Sequence, residues 1–114
     1  MTLQEIVAQL NLRRLTVERD FNEIELHSGY ASDLLSCVMA GARHHGVWVT
    51  LQSHTNIVAV AALLELGAVI ITEDTQPDQD TIDKANEEGI NLFVTDKPTF
   101  WVVGKLWEMG LREG

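Results

Sequence analysis

A motif that occurs three times in the second half of the chain constrains the fold more than any other feature. Each copy is a glycine, an apolar run of strand length, a threonine and then polar residues that lead into a helical pattern. The three glycines are 21 and 22 residues apart. Alternating strands and helices at this spacing are typical of βα units whose strands lie side by side. We therefore predict a single α/β domain over residues 1–114, with a mostly parallel sheet and flanking helices.

The repeats also predict where the strands and the helix ends lie. Gly46, Gly67 and Gly89 precede the three apolar runs. We expect each to end a helix in the left-handed conformation, because glycine has no Cβ to clash there. The predicted strands, which should be parallel neighbours with a helix after each, are residues 47–51, 68–72 and 91–95.

The N-terminal part of the chain has weaker patterns. Thr2 and Glu5 have the spacing of a capping box at the start of an amphipathic helix. Alternating apolar and polar residues predict two short strands, at 15–17 and 24–26. The segment that contains Gly29 and Tyr30 is expected to be a loop.

A helix is expected over residues 32–42, with Ser32 or Asp33 as its N-cap. Cys37 is the only cysteine of the chain, so no internal disulfide can form, and buried packing is its expected role. The apolar side chains that this helix should bury are Leu34, Leu35, Val38 and Met39.

The net charge and hydropathy of the chain limit the kinds of partner that it can bind. The chain has 17 acidic and 8 basic residues, a formal net charge of −9, and no stripe of basic residues. Such a charge disfavours nucleic acids and anionic membrane surfaces. The longest apolar stretch is far shorter than the roughly 20 residues that span a bilayer, and no signal peptide is recognisable. We expect a cytoplasmic protein that binds neither nucleic acid nor membrane.

Two helices are predicted to be apolar around most of their circumference. One follows the first repeat at residues 55–66, and the other occupies residues 98–111. Apolar surface that one face of a sheet cannot cover usually marks a contact between proteins. We therefore expect a homodimer that buries surface from one of these helices.

A functional edge is expected where the parallel strands end, because helix N-termini meet polar loops there. The segment 52–56 has five consecutive polar residues, and its amides and hydroxyls would suit a small anionic or nucleotide-like group. The alternative is that Ser53 or Thr55 only caps the next helix. The candidate ligand-binding residues are Gln52, Ser53, His54, Thr55 and Asn56, with Ser32, Asp33, Thr95 and Asp96 as second-side contacts.

No catalytic or metal-binding pattern is recognisable. The chain has no phosphate-binding loop with its lysine, no dinucleotide-binding glycine pattern and no G-x-S-x-G turn. The four histidines lack the spacing of metal ligands. We expect a protein that is not an enzyme and needs no cofactor or metal. An enzyme that uses Asp33, His54 or Asp96 is the weakest of the hypotheses.

Two segments resemble the short, free-standing members of the DRTGG-domain family: residues 29–36 (GYASDLLS) and 48–61 (WVTLQSHTNIVAVA). The similarity continues through residues 68–71 to Thr95 and Asp96, although the letters DRTGG themselves do not occur. The family has an α/β fold related to the N-terminal domain of HPr kinase/phosphorylase. The resemblance does not imply kinase activity, because the phosphate-binding domain of that enzyme is missing.

In larger proteins such a domain accompanies phosphotransacetylase or CBS domains and is associated with regulation and subunit contacts. The resemblance therefore implies a non-catalytic regulatory or ligand-sensing module. The alternative is a pure interaction subunit, without a small-molecule ligand, that docks a redox or signalling protein through its last helix.

Overall fold

The computed structural model describes residues 1–17 and 24–113. The helices of this part are α1 (Leu3–Leu10), α2 (Leu35–Gly41), α3 (Asn56–Leu63), α4 (Gln79–Glu88) and α5 (Thr99–Glu108). The strands are β1 (Arg13–Arg14), β2 (Gly29–Ala31), β3 (Val47–Thr50), β4 (Ala68–Ile71) and β5 (Leu92–Val94).

The five strands form one sheet in the order β1-β5-β4-β3-β2. Strands β2 to β5 are parallel neighbours, with Val49 opposite Ile70 and Ile70 opposite Phe93 in the registers of the central pairs. Only β1, at the edge, runs antiparallel to its neighbour. The prediction of an α/β fold, with three parallel strands each followed by a helix, is confirmed.

Helices cover both faces of the sheet. Helices α2, α3 and α4 each connect two neighbouring parallel strands and lie on one face, against a core cluster that contains Trp48, Val69 and Leu92. Helices α1 and α5 lie on the other face, against Val47 and Ile70. Strands β3 and β4 are therefore buried on both faces, which is why they are continuous apolar runs rather than alternating patterns.

Neighbouring helices explain the apolar circumference of α3. This helix is the middle one of its layer, between α2 and α4, and its buried residues are Ile57, Val58, Val60 and Ala61. Leu63 is its large apolar side chain that stays exposed. Helix α3 therefore offers less surface for self-association than its sequence suggests.

The expected left-handed glycines are confirmed at one position of three. Gly89 ends α4 with φ of 73°. Gly46 and Gly67 do not have a positive φ, and nearby residues do instead: His45 with φ of 63° and Glu65 with φ of 52°. The prediction placed the left-handed residue one or two positions too late.

Close packing, rather than backbone conformation, explains why the other two positions are glycine. A Cβ on Gly46 would lie 2.6 Å from the hydroxyl of Ser28, and one on Gly67 would overlap the side chain of Leu26. Both glycines lie where β3 and β4 begin, so the segment before β2 approaches them closely.

The strand predictions for the N-terminal part were wrong. The edge strand is residues 13–14, and Leu15 follows it with one hydrogen bond from its amide to the Leu92 carbonyl, 2.9 Å. In the segment 24–26 only Glu25 forms an isolated bridge, to Thr2. The strand that the sequence missed is β2, where a loop was expected.

Helix α2 is shorter and more exposed than predicted. It begins at Leu35 rather than at residue 32, and of its own residues only Val38 is buried. Leu34 and Met39, which were expected inside, are exposed, and so is Cys37. The helix lies at the end of its layer beside the edge strand β2, where only one side of it meets other elements.

Candidate ligand site at the carboxyl edge of the sheet

The topology brings all the predicted site residues to one edge of the sheet. Strands β2 to β5 are parallel, so the loops that follow them leave from the same side. These loops contain residues 32–34, 51–55, 72–78 and 95–98. Helices α3, α4 and α5 begin at this edge, with their positive dipole ends toward it. The predicted site residues form three groups there. Ser32 and Asp33 follow β2, residues 52–56 follow β3, and Thr95 and Asp96 follow β5.

Asp33 holds the end of strand β3. Its Oδ1 accepts hydrogen bonds from the Thr50 hydroxyl and from the Leu51 amide, both 2.8 Å. Its backbone carbonyl accepts from the Gln52 side-chain amide, 3.0 Å. The prediction that Asp33 caps α2 is wrong, because the carboxylate turns across to the neighbouring strand. Asp33 and Gln52 thus position the loop through Asp33 Oδ1, the Asp33 carbonyl and the Gln52 side-chain amide nitrogen.

Ser32 also makes hydrogen bonds that join its loop to the start of α2 and to strand β3. Its hydroxyl accepts from the Leu34 amide, 3.1 Å, and its carbonyl accepts from the indole Nε1 of Trp48, 2.9 Å. Leu34 is the residue before the first turn of α2 and makes no capping hydrogen bond with its side chain. The prediction of Ser32 as the N-cap is therefore wrong, and its hydroxyl tightens the turn instead.

The loop after β3 is anchored from the other side by α4. The fully buried hydroxyl of Thr81 donates to the Ser53 carbonyl, 3.1 Å. The same threonine is tied to the N-cap of its own helix, since the Thr81 amide donates to Asp78, 3.1 Å. With Asp33 on one side and Thr81 on the other, the path of the loop is set before any ligand arrives.

The start of α3 is capped by histidine rather than by serine or threonine. The His54 Nδ1 accepts from the Asn56 amide, 3.1 Å, while Thr55 makes no capping bond with its side chain. The Ile57 and Val58 amides donate to the His54 and Thr55 carbonyls, 3.1 and 3.0 Å. We expected unpaired amides at this helix start, and for residues 56–58 that expectation is wrong.

A smaller set of donors at the loop has no partner within residues 1–17 and 24–113. It comprises the backbone amides of Ser53, His54 and Thr55, three in succession, and the side-chain polar groups of Ser53, Thr55 and Asn56. His54 and Asn56 are exposed, and Ser53 and Thr55 are half-buried. Successive amide groups in a bend can form a concave site for an anion or a polar oxygen.

Thr95 and Asp96 belong to a different part of the edge. They line a cleft of about 230 Å³ together with Arg13, Asp74 and Gln76. Strand β4 separates the end of β3 from the end of β5, a distance of about 10 Å at the usual strand spacing. The structure therefore brings Ser32 and Asp33 to the loop at 52–56, but it does not bring Thr95 and Asp96 there.

Sequence reasoning missed the part that Glu73 takes at this edge. Its carboxylate accepts from the Thr99 amide, 2.7 Å, and so caps α5 from another loop. The Glu73 and Asp74 amides donate to the Lys97 and Thr95 carbonyls, 2.9 and 3.1 Å, which joins the loops after β4 and β5. No local pattern indicated this role, because the capped helix lies 26 residues further along the chain.

In the described part of the chain, no three or more His, Cys, Asp or Glu side chains converge as metal ligands. None of the helices described is both long and apolar enough to cross a membrane.

No protein-family model matches the chain, and no curated protein matches it in sequence. Among solved structures, the chain is similar to the crystal structure of the CBS and DRTGG domains from the regulatory region of Clostridium perfringens pyrophosphatase, which was solved in complex with its activator, diadenosine tetraphosphate. The TM-score is 0.75 and the sequence identity is 13%, over 90% of this chain and 44% of that one. The present chain thus spans less than half of that chain. At this identity the likeness establishes a shared fold.

Proposed function

We propose that the protein is a regulatory, ligand-sensing module that binds a small anionic or nucleotide-like molecule at the loop of residues 52–56. The observation that carries the proposal is the run of three unpaired amides at Ser53, His54 and Thr55. They lie beside the hydroxyls of Ser53 and Thr55 and the side-chain amide of Asn56, at the point where a helix N-terminus meets the strand ends.

The anchoring of this loop supports the proposal. Asp33 and Thr81 hold its backbone from opposite sides, and their hydrogen bonds leave the amides of residues 53–55 free. Donors that are already in place lose less conformational freedom when a ligand binds.

The shared fold supports the regulatory class in general terms. The pyrophosphatase region with the similar fold binds a nucleotide activator, which makes a nucleotide-like ligand a reasonable first choice for this chain. The acidic net charge of −9 opposes anions, but salt screens exposed charges beyond roughly 8 Å at physiological ionic strength. Binding of an anion should therefore depend on the local donors.

The proposal can be tested by calorimetric titration with ATP, AMP, diadenosine tetraphosphate and inorganic phosphate. The variant Ser53→Ala/His54→Ala/Asn56→Ala removes three side chains from the site, and we expect at least a 10-fold loss of affinity for whichever compound binds. The backbone amides remain in this variant, so a residual affinity is expected.

A matched control separates binding from capping. His54→Ala also removes the acceptor for the Asn56 amide, whereas His54→Asn keeps a short side-chain oxygen that can cap α3. We therefore expect Ser53→Ala/His54→Asn/Asn56→Ala to lose affinity while it keeps the wild-type unfolding midpoint. If none of the four compounds binds, or if both triple variants bind normally, the loop is purely structural. The second candidate, an interaction subunit without a small-molecule ligand, would then be preferred.

A further inference from the structure

The outer face of α5 carries exposed apolar residues at the spacing of a helix-packing contact. Phe100, Val103 and Trp107 are 90%, 38% and 57% exposed, and the exposed Gly104 lies among them. At about 100° of rotation per residue, these four positions fall within one arc of roughly 100°. We refer to them as the α5 seam. Leu106 is buried on the sheet side of the same helix, so the core of the monomer is complete without the seam.

Gly104 has no role in the packing of the monomer. Among the described residues, a Cβ placed on it would meet no atom within 4 Å, and its φ is not positive. Neither the space nor the backbone conformation therefore requires glycine. A glycine inside a helix is less favourable than alanine, because it loses more backbone freedom on folding. Its usual benefit is the close approach of another backbone, and Gly104 lies in the middle of the exposed apolar face.

The seam is uncharged, although the chain has a net charge of −9. Lys97 and Lys105 lie over Trp101, away from the seam, with Nζ at 5.7 and 5.6 Å from the ring centre. Beyond the C-terminal end of the helix, the basic Arg112 is followed by the acidic Glu113. A charged partner would gain little here. Two copies of an acidic protein, however, repel each other least where they meet through a neutral face.

The exposed area of the seam suits the apolar centre of a stable dimer. A standard interface buries about 800 Å² per partner, of which somewhat more than half is apolar. Aromatic side chains present about 150–250 Å² each, so the exposed fractions of Phe100 and Trp107 amount to on the order of 300 Å². Val103 adds to this area from the same face. One contact between helices would thus bury most of the apolar area that a dimer needs.

We infer that the α5 seam binds the α5 seam of a second copy of the chain, antiparallel, about a two-fold axis that passes between Val103 and Gly104. In a two-fold contact, residue i meets residue j of the other copy, and j meets i. This register sets Phe100 of each copy against Trp107 of the other, and Val103 against Gly104. A large side chain then faces a small one at the centre, so the helix axes can approach to roughly 8 Å.

A cavity beside the seam leaves room for an aromatic ring of the second copy. Its volume is about 190 Å³, and it is lined by Trp107 and other apolar residues of α5 and by Gly29 and Ala31 of β2. Strand β2 contributes only a hydrogen and a methyl group there, so its own side chains leave the space open. Phe100 of the second copy, opposite Trp107, would lie at the mouth of this cavity. The inference does not rest on the proposed ligand site, which lies at the end of β3.

Sedimentation velocity of the full chain over a series of concentrations tests the inference. We expect the wild type to dimerise with a dissociation constant on the order of micromolar. Phe100→Ala and Trp107→Ala should each raise this constant at least 10-fold, as truncation of central aromatic residues does in other interfaces. Leu63→Ala is the matched control, because it truncates a 65% exposed apolar side chain on α3 and should leave the constant unchanged. A wild type that stays monomeric at high micromolar concentration, or equal dimerisation of all four proteins, would overturn the inference.

Gly104→Ala distinguishes a contact between copies from a role in the monomer. In dilute, dissociated protein this variant should have a higher urea midpoint than the wild type, because alanine is the better helix former and its methyl group has free space. In the dimer the same methyl group lies between two closely packed helices. The dissociation constant should therefore rise roughly 10-fold, as expected for overpacking. An unchanged or lower constant would contradict the proposed crossing point.

Oxidative cross-linking tests the direction of the helices. The free Cys37 is first replaced in a Cys37→Ala background. Val103→Cys lies next to the axis and should form a disulfide-linked dimer. Phe100→Cys lies about 10 Å along the helix from its counterpart in the second copy and should not. A parallel pair would place Phe100 beside Phe100, so cross-linking of Phe100→Cys, or its failure in Val103→Cys, would overturn the antiparallel arrangement.

Discussion

The loop at residues 52–56 and the outer face of α5 present opposite kinds of surface. In the loop, side chains from neighbouring elements hold a short polar backbone in place, and the donors that remain are amides and hydroxyls. On α5 the backbone belongs to a regular helix, and the exposed groups are aromatic rings with cations beside them. The first kind of surface is suited to a small polar ligand. The second is suited to a larger partner that can cover apolar area.

The two surfaces also differ in how much their residues contribute to the stability of the fold. Asp33 and Thr81 serve the loop through bonds that also join strands and helices. Phe100 and Trp107 are 90% and 57% exposed, so changes there should disturb the interior less than changes at buried residues of the same helix. Mutations should therefore affect stability and binding together at the loop, and should separate the two on α5.

The largest effect is expected inside α5. Leu106 is 4% exposed, and Leu106→Ala should lower the free energy of unfolding by about 2–4 kcal/mol through lost burial and a cavity. The adjacent Trp107→Ala should lower it by less, about 1 kcal/mol, because the indole is 57% exposed and only its remaining surface is buried. Urea unfolding of both variants measures the difference. Similar losses for the two would show that the α5 face is part of the core and not a free surface.

The second effect concerns the anchor on the β2 side of the loop. Asp33→Ala leaves the buried Thr50 hydroxyl and the Leu51 amide without their acceptor, so we expect a loss of about 1–2 kcal/mol in unfolding free energy. Asp33→Asn keeps an oxygen in the same place and should lose less than half as much. An unchanged urea midpoint in Asp33→Ala would mean that the loop needs no anchor. Stability and binding would then not be coupled at the loop.

The third effect concerns the anchor on the α4 side. Thr81→Val keeps the shape of the side chain but removes the hydroxyl that lies 3.1 Å from both the Ser53 carbonyl and Asp78 Oδ1, which should cost about 1 kcal/mol. Hydrogen exchange of the amides at residues 56–58, which are hydrogen-bonded at the start of α3, should accelerate in this variant, since a freed loop opens more often. Exchange that stays at the wild-type rate would show that Asp33 alone determines the loop's path.

The smallest effect lies outside both regions. The N-terminal ammonium of Met1 donates to the Glu25 carboxylate at 2.9 Å, and this ammonium, more than the weaker field of His27, lowers the pKa of Glu25 below its ordinary 4.5. A lowered pKa means that the pair stabilises the fold above pH 4.5 and loses this contribution as pH falls through the lowered value.

The chain that begins at Met1 and its Glu25→Gln variant should therefore differ slightly in urea midpoint at pH 7, and the difference should narrow as pH falls below 4.5. A gap that is wider at pH 3 would show the sign to be wrong. N-terminal acetylation of the wild type is the matched control, because it removes the cation and leaves the carboxylate.

Local pattern predicted the repeating part of the fold well. Burial on both faces makes β3 and β4 apolar without interruption, and such runs are recognisable in the sequence. The capping box of Thr2 and Glu5 and the left-handed Gly89 were also predicted, because both depend on neighbours within a few residues. Strand β2 was missed, since the sequence Gly-Tyr-Ala has neither a long apolar run nor alternation, and pairing with β3 makes it a strand.

In the candidate site, too, some features follow from the local sequence and others depend on tertiary contacts. The sequence by itself determined that polar segments would follow the parallel strands and meet at one edge, because strand direction and helix order follow from the repeat. Only the tertiary structure decided which polar groups stay free there. Asp33 turns to β3 instead of capping its own helix, and Glu73 caps a helix 26 residues away. Tertiary structure also left Trp107 exposed and Leu106 buried. Hydrogen-bond partners and burial depend on which elements come together in space, and no short segment of the chain specifies that.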